Sequence, residues 1–458
     1  MTVDYNDTIA GVATAPGDAG VSVVRISGCD AVSIGRGIFR PKFGSGFEPA
    51  KNRHMVYGWV EKDGRTVDEV LLCTMRGPHS FTAEDVVEIH CHGGGLITRT
   101  ILELAIAGGA RLARPGEFTQ RAFLNGRIDL TRAEATNDLI NAKTPLGLDV
   151  VVNQLKGGLY DRISAVKEDV AWVLSLVNAG IDFPEEDVVF ANLDQVSEKI
   201  QSAAGVLARL IESADTGIMI REGFRIVLAG EPNVGKSSIL NGLLEEPRSI
   251  VTQIPGTTRD TIEESCSVEG VPISLTDTAG IRDTENPIEK EGIDRTISAM
   301  RKADLILWVI DAANPSFDLN IPEEAARPPM LIVLNKMDLI DGEAPQVPTE
   351  WGDKDKIAIC AQQNEDIVRL RERIFHFISG RTGRIVEDTM LTNLRQKKAA
   401  ESALESLNRA REAIEGNLGE ELVSVDLSAT LQSLGDIVGE TTPDEMLNRI
   451  FSEFCIGK

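Results

Sequence analysis

The sequence predicts a multi-domain chain: an N-terminal α+β domain, an all-α helical domain in two halves, and an α/β domain inserted between those halves. Three observations carry this reading. Short β-rich runs separated by Gly and Pro fill the first 122 residues. Helical spacing takes over from about 127 to 216 and returns after about 383. From Phe224 onward, apolar strands are each followed by a polar or Gly-rich turn and a helix, the signature of a largely parallel sheet covered on both faces. The boundaries read as 1–122 for the first domain, 123–218 with 383–458 for the helical domain, and 219–382 for the insert. Such an insertion is tolerated when the ends of the insert lie close together.

Taken in order, VSVVRISG, EVLLCTMRG and EDVVEIHCHGG read as strands of the first domain, with LITRTILELAIAGGA as its helix. Ile163, Val166, Val170, Val173, Leu174 and Val177 recur at intervals of three and four, which places one buried stripe on a long helix. The insert supplies the strands FRIVLAG, VPISLTDTAG, LILWVID, MLIVLNK and KIAIC. After it, Ala399, Ala400, Ala403, Leu404, Leu407, Ala410 and Ile414 share a second helical stripe.

Composition bounds the function. With 458 residues, 42% of them apolar, the chain can bury several cores. Its 71 acidic against 47 basic residues leave a formal charge of −24, so the surface as a whole does not grip a phosphate backbone. Contact with nucleic acid requires a local basic patch or a partner. The six cysteines (Cys29, Cys73, Cys91, Cys266, Cys360 and Cys455) lack metal-ligand spacing, and MTVDYNDTIAG lacks the basic flank and apolar run of a secretory signal. A cytoplasmic protein without a membrane role is expected, the closest approach to a membrane span being the short run LILWVIDAA. His90 and His92 flank Cys91 on one strand, where alternation favours core or cleft packing over a metal site.

The residues that carry chemistry lie in the insert. Gly230-Glu231-Pro232-Asn233-Val234-Gly235-Lys236-Ser237 follows a strand and opens the helix that begins with Ser237 and Ser238. In that order, successive backbone N–H groups and a helix N-terminus cradle phosphates, Lys236 reaches the terminal ones, and Ser237 ligates Mg²⁺. Asp277-Thr278-Ala279-Gly280 ends another strand, where Asp277 holds Mg²⁺ through water and the Gly280 N–H senses a γ-phosphate. Asn335-Lys336-Met337-Asp338 ends a third. A carboxylate at Asp338 accepts from the N1–H and 2-amino groups of guanine, donors that adenine lacks. The loop Thr252-Gln253-Ile254-Pro255-Gly256-Thr257-Thr258 stands at the distance of a first switch, with Thr258 the best candidate to complete the Mg²⁺ shell. These motifs, in this order, describe a P-loop GTPase that binds GTP and GDP. The residue after Gly280 is the apolar Ile281, so the attacking water needs another guide than the usual glutamine. Asn233 and the 252–257 loop offer neutral oxygens that suit a monovalent cation.

The chain resembles the MnmE (TrmE) family of tRNA-modification GTPases from end to end. The carrying segments are NDTIAGVATAPGDAGVSVVRISG, HSFTAEDVVEIHCHGG, ARPGEFTQRAFLNGRIDLTRAEATNDLI, the motifs above and the closing FSEFCIGK. The resemblance implies a K⁺-activated GTP hydrolase that forms a homodimer through its G domains. With the flavoprotein MnmG, such a protein adds a carboxymethylaminomethyl or aminomethyl group at C5 of the wobble uridine of certain tRNAs, the tRNA being held largely by MnmG. The resemblance further implies that Asn233, Thr252, Ile254 and Thr257 surround K⁺, and that Glu289 orients water through a second water, with Glu291 its rival in position. Lys236, Thr258 and Glu289 are then the catalytic set.

The N-terminal domain resembles the family's folate-binding and dimerisation part, which holds 5-formyltetrahydrofolate or 5,10-methylenetetrahydrofolate as one-carbon donor. Motif by motif this implies contacts from Arg25, Glu88, Arg127 and Lys458, with Cys455 near the one-carbon chemistry. The chain departs from the family pattern at Ala83, where glycine is usual, at Pro255, and at Arg127, where lysine is common. A further departure is Cys360-Ala361 in place of the Ser-Ala that meets guanine O6. The alternative is a regulatory or assembly switch whose hydrolysis only toggles partners.

Overall fold

The computed structural model describes residues 7–43, 52–183, 193–244, 263–277, 296–317, 327–340, 342–348, 351, 354–381, 389–455 and 457. The chain divides into two compact units, one of Met1–Ile140, Gln154–Lys167 and Leu431–Lys458, the other of Asn141–Asn153 and Glu168–Thr430.

The first unit is built on β1 (Ile9–Val12), β2 (Ala19–Ser27), α1 (Ala31–Ile38), β3 (Phe39–Pro41), β4 (Met55–Lys62), β5 (Arg65–Met75), β6 (Val86–Gly93), α2 (Gly95–Ala107), β7 (Arg111–Leu112), α3 (Glu117–Leu124) and α4 (Leu130–Asn141). Its seven strands run in the order β3-β4-β5-β6-β2-β1-β7, antiparallel except for the β1·β7 pair. The three expected strands are β2, β5 and β6, and the expected helix is α2. Val24 and Ile26 of β2, Val87 and Ile89 of β6, and Ile101 and Ala105 of α2 are fully buried in one core with Ile34 of α1. Strand alternation then turns Arg25 and Glu88 to the opposite face, where the register makes them direct partners.

The charges flanking the ARPGEFT segment serve the structure. Arg121, 1% exposed, donates to the Asp7 carbonyl (2.7 Å) and to Glu84 (3.1 Å), while Arg111 bridges Glu117 and Asp7. Those bonds, Glu117 first and Asp7 second, raise the pKa of Arg111.

Three helices follow, α5 (Pro145–Lys156), α6 (Gly158–Asp182) and α7 (Leu193–Glu222). The expected stripe on α6 is buried at Ile163, Val166, Val170, Val173 and Val177, and Leu174 lies at its margin. The insert contains β8 (Phe224–Ala229), α8 (Lys236–Leu244), β9 (Glu263–Val268), β10 (Val271–Asp277), β11 (Leu305–Asp311), β12 (Met330–Asn335), β13 (Asp355–Ala358) and α9 (Asn364–Arg381). Its strand order is β13-β12-β11-β8-β10-β9, parallel throughout except for β9 against β10. The central strands β11 and β12 are buried on both faces, as their unbroken apolar runs require.

Last come α10 (Leu394–Glu415), α11 (Glu420–Val438) and α12 (Asp444–Ser452). Asn393 caps α10 by accepting the Gln396 N–H at 2.8 Å. α10 packs along α7, and its Ala400, Ala403, Leu407 and Ala410 are buried. Helices from before and after the insert therefore meet. Among the described residues no helix is long and apolar enough to cross a membrane.

Candidate functional site

The parallel sheet directs the carboxyl ends of β8, β10, β11 and β12 toward one edge, where α/β sheets place their ligands. The loop from β8 to α8 is shaped by glycine. Gly230 has φ +143°, and a Cβ there would stand 2.3 Å from the Val309 carbonyl; Gly235 has φ +99°, and its Cβ would meet Asn335 Nδ2 at 2.2 Å. Between them Asn233 also adopts the left-handed region, at φ +64°. The buried Lys236 donates from Nζ to the carbonyls of Gly230 (3.0 Å) and Glu231 (2.8 Å), so the ammonium sits over its own loop. Ser237 and Ser238 are exposed in the first turn of α8, beside the helix N-terminus. The arrangement is a cationic nest of main-chain amides.

The Asn335-Lys336-Met337-Asp338 segment is tied to that loop. Asn335, 2% exposed, donates from Nδ2 to the Val234 carbonyl (2.9 Å) and accepts the Ala361 N–H at Oδ1 (3.0 Å). Lys336 reaches the Asn233 carbonyl with Nζ at 2.7 Å. Asp338 sits in the short 3-10 turn Met337–Leu339. The Cys360 thiol beside it is raised in pKa by burial and, second, by its hydrogen bond to the Asp338 carboxylate. The Cys360 N–H is held by Asp366 Oδ2 at 2.6 Å. Asp366 went unnoticed in the sequence; the available signal was a carboxylate in the first turn of α9.

In the N-terminal unit, Arg25 and Glu88 join at 2.8 Å. The Arg25 guanidinium lies 5.1 Å from the Phe81 ring centroid and 5.6 Å from that of Phe118, and donates to the Gly457 carbonyl at 3.4 Å. Arg127 covers Phe81 as well, at 5.1 Å, and donates to its carbonyl at 2.7 Å. Gly457 makes that approach possible: with φ +97°, its Cβ would fall 1.9 Å from the Val12 carbonyl. Cys455 is exposed next to this seat. Of the histidine pair, His92 is exposed and bound to Asp68 at 2.7 Å, whereas Cys91 faces the core. His90 stands 3.6 Å from Glu88 and its buried Nε2 makes no hydrogen bond among the described residues.

The profile described as the MnmE helical domain matches residues 130–455, and that described as the GTP-binding protein TrmE N-terminus matches 8–127. The chain is 41% identical to the tRNA modification GTPase MnmE of Desulforamulus reducens, covering 99% of this chain and 100% of that one. This chain belongs to the MnmE family. Relatives from Alkaliphilus metalliredigens (43% identity, 99% of each chain) and Streptococcus thermophilus (42%, covering 99% and 98%) carry the same description. As an MnmE-family member it is a GTP hydrolase.

Among solved structures, the FeoB G-domain of Methanococcus jannaschii is 24% identical with a TM-score of 0.26, over 34% of this chain and 97% of that one. Aquifex aeolicus Era is 22% identical with a TM-score of 0.27, over 40% and 66%.

Two departures from the MnmE pattern acquire a physical reading. Ala83 adopts φ +61°, the conformation in which a glycine costs least, so this chain carries about 1 kcal/mol of strain that a glycine would avoid. The other, Cys360, places a thiol beside Asp338 where the family pattern has a hydroxyl. Thr252, Gln253, Ile254, Pro255, Gly256, Thr257, Thr258, Thr278, Ala279, Gly280, Glu289 and Lys458 lie outside the described residues, as does the side chain of Asp277.

Proposed function

We propose that the loop opening α8 binds the triphosphate of GTP, that Asn335, Lys336, Asp338, Cys360 and Ala361 form its guanine side, and that hydrolysis at this site drives modification of tRNA. The observation that carries the reading is the direct joining of the two halves: Asn335 and Lys336 each hold a carbonyl of the phosphate loop, at 2.9 and 2.7 Å. Recognising the base therefore fixes the loop that holds the phosphates. Ser237, with its hydroxyl at the helix start, suits Mg²⁺ together with Thr258, and the ion would offset charge on the phosphates. Asn233, with Thr252, Ile254 and Thr257, would hold K⁺ in the role that an arginine plays elsewhere, while Glu289 guides water. The described oxygen of that set, Asn233, is exposed on the loop. The insert 219–382 is then a G domain carried between two halves of a helical domain.

The N-terminal domain, 1–122, would hold a tetrahydrofolate derivative through Arg25, Glu88, Arg127 and Lys458 as one-carbon donor. Three features support the fit: the flat faces of Phe81 and Phe118, the Glu88 carboxylate as acceptor for pterin N–H groups, and the unmet His90 Nε2 beside it. A homodimer, the partner MnmG, the wobble uridine of tRNA and a cytoplasmic setting complete the proposal. With a net charge of −24 the tRNA would be gripped mainly by MnmG.

Nucleoside analysis of tRNA from cells lacking this protein tests the cellular role: loss of the C5 substituent at the wobble uridine is expected, and intact modification would overturn it. Replacing Na⁺ by K⁺ at constant ionic strength is expected to accelerate GTP hydrolysis by roughly tenfold or more, as a fixed cation offsets charge developing in the transition state. Equal rates in the two salts would remove the cation from the account.

A further inference from the structure

We propose that Asp311 is a positioning residue for nucleotide binding, acting through Lys336. The inference rests on the reading of Lys336 as part of the guanine site. β11 is a run of six buried apolar residues, and Asp311 is the polar residue that ends it. Its register partner on β12 is Asn335, so the carboxylate emerges beside the next residue in the chain, Lys336. The two carboxylate oxygens have different occupations. Oδ1 accepts the Ala313 N–H at 3.0 Å and closes the turn after the strand, while Oδ2 takes Lys336 Nζ at 2.7 Å. A turn cap needs one oxygen; the second is committed to the lysine.

Lys336 is held from three sides. Its backbone adopts φ +65°, its ammonium bonds the Asn233 carbonyl, and Asp311 fixes the same ammonium from the end of β11. The neighbouring backbone is tied as well, the Ala312 N–H donating to the Asn335 carbonyl at 2.8 Å. A lysine stem has four carbons of rotamer freedom, and a neutral carbonyl alone restrains it weakly. A charge-assisted bond is roughly twice as strong as a neutral one, so Asp311 orders the stem before any nucleotide arrives. The pair is partly shielded, with side-chain exposures of 20% for Asp311 and 29% for Lys336, so water and salt screen it only in part. Strand end, base loop and phosphate loop become one connected clamp.

Asp311→Asn separates the two jobs, because the amide oxygen still caps Ala313 while the negative charge facing the Lys336 ammonium is lost. Binding of a fluorescent GTP analogue and of GDP is to be measured for the full chain, Asp311→Asn, Lys336→Ala and the double variant, alongside steady-state hydrolysis. Asp311→Asn is expected to weaken binding about five- to tenfold, the size of one charge-assisted contact, with kcat at saturation changed by less than about twofold. In the Lys336→Ala background the same substitution is expected to add nothing, whatever its effect on thermal stability. Unchanged affinity for Asp311→Asn, or an equal loss in both backgrounds, would overturn the inference while leaving the GTP site intact. Failure of the unsubstituted chain to bind GTP would overturn the site reading and the inference with it.

Discussion

Asp338→Asn is expected to transfer nucleotide preference from guanosine to xanthosine triphosphate. Guanine presents two donors, N1–H and the 2-amino group, to a carboxylate that only accepts; xanthine presents a carbonyl at position 2, which needs a donor. The Asp338 carboxylate lies beside the Cys360 thiol, whose pKa is raised by burial and, second, by its hydrogen bond to Asp338. After the substitution the amide oxygen can keep that thiol bond, which leaves its NH₂ group for the base. The cost to GTP is the loss of a paired, charge-assisted contact together with an unmet guanine donor, so affinity is expected to fall by a factor on the order of 10² to 10³. Competition binding with GTP, XTP and ATP checks it. Retained GTP preference would mean that some other group reads the base.

What the sequence disclosed, and what it hid, follows from how local each signal is. β11 and β12 were legible because strands buried on both faces must be apolar without a break, and β8 because it is apolar apart from the exposed Arg225. β9 was not: EESCSV has neither an apolar run nor a clear alternation, and it pairs antiparallel only because it sits at the sheet edge beside β10. α1 escaped for a different reason, since AVSIGRGI carries two glycines in eight residues and its helix is stabilised by packing on β6 rather than by propensity. The loop motifs at 230–237 and 335–338, proposed to meet phosphate and base, were legible because their residues are adjacent in the chain and their spacing is the signal. Asp311 and Asp366 were not, because each acts on a group that only the fold brings near, Lys336 in one case and the Cys360 amide in the other. Arg25 and Glu88 lie between these extremes. Alternation along each strand could place them on one face, but nothing in either strand says that residues 25 and 88 are cross-strand partners; resemblance named them and the β2·β6 register joined them.

Gly235→Ala is expected to abolish tight nucleotide binding, even though it adds a single methyl group. Two costs arise together. At φ +99° any L side chain is strained, by about 1–2 kcal/mol. The larger cost is steric: the new Cβ would lie 2.2 Å from Asn335 Nδ2, so Asn335 must move. That side chain is buried and has no slack, because its Nδ2 holds the Val234 carbonyl and its Oδ1 holds the Ala361 N–H. Displacing it strands buried polar groups at about 1–3 kcal/mol each, and the loop can escape only by abandoning the conformation that presents its amides to phosphate. A loss of about 3–4 kcal/mol in this way corresponds to GTP binding weaker by some 10² to 10³. The sheet beneath does not share the strain: Leu228, Val309 and Val333 are buried in its core. Circular dichroism is therefore expected to report an unchanged helix and strand content while calorimetric titration detects little heat with GTP. Binding within about threefold of the unsubstituted chain would show that the loop tolerates a Cβ, and that the Asn335 bridge is not what holds the phosphate cradle open.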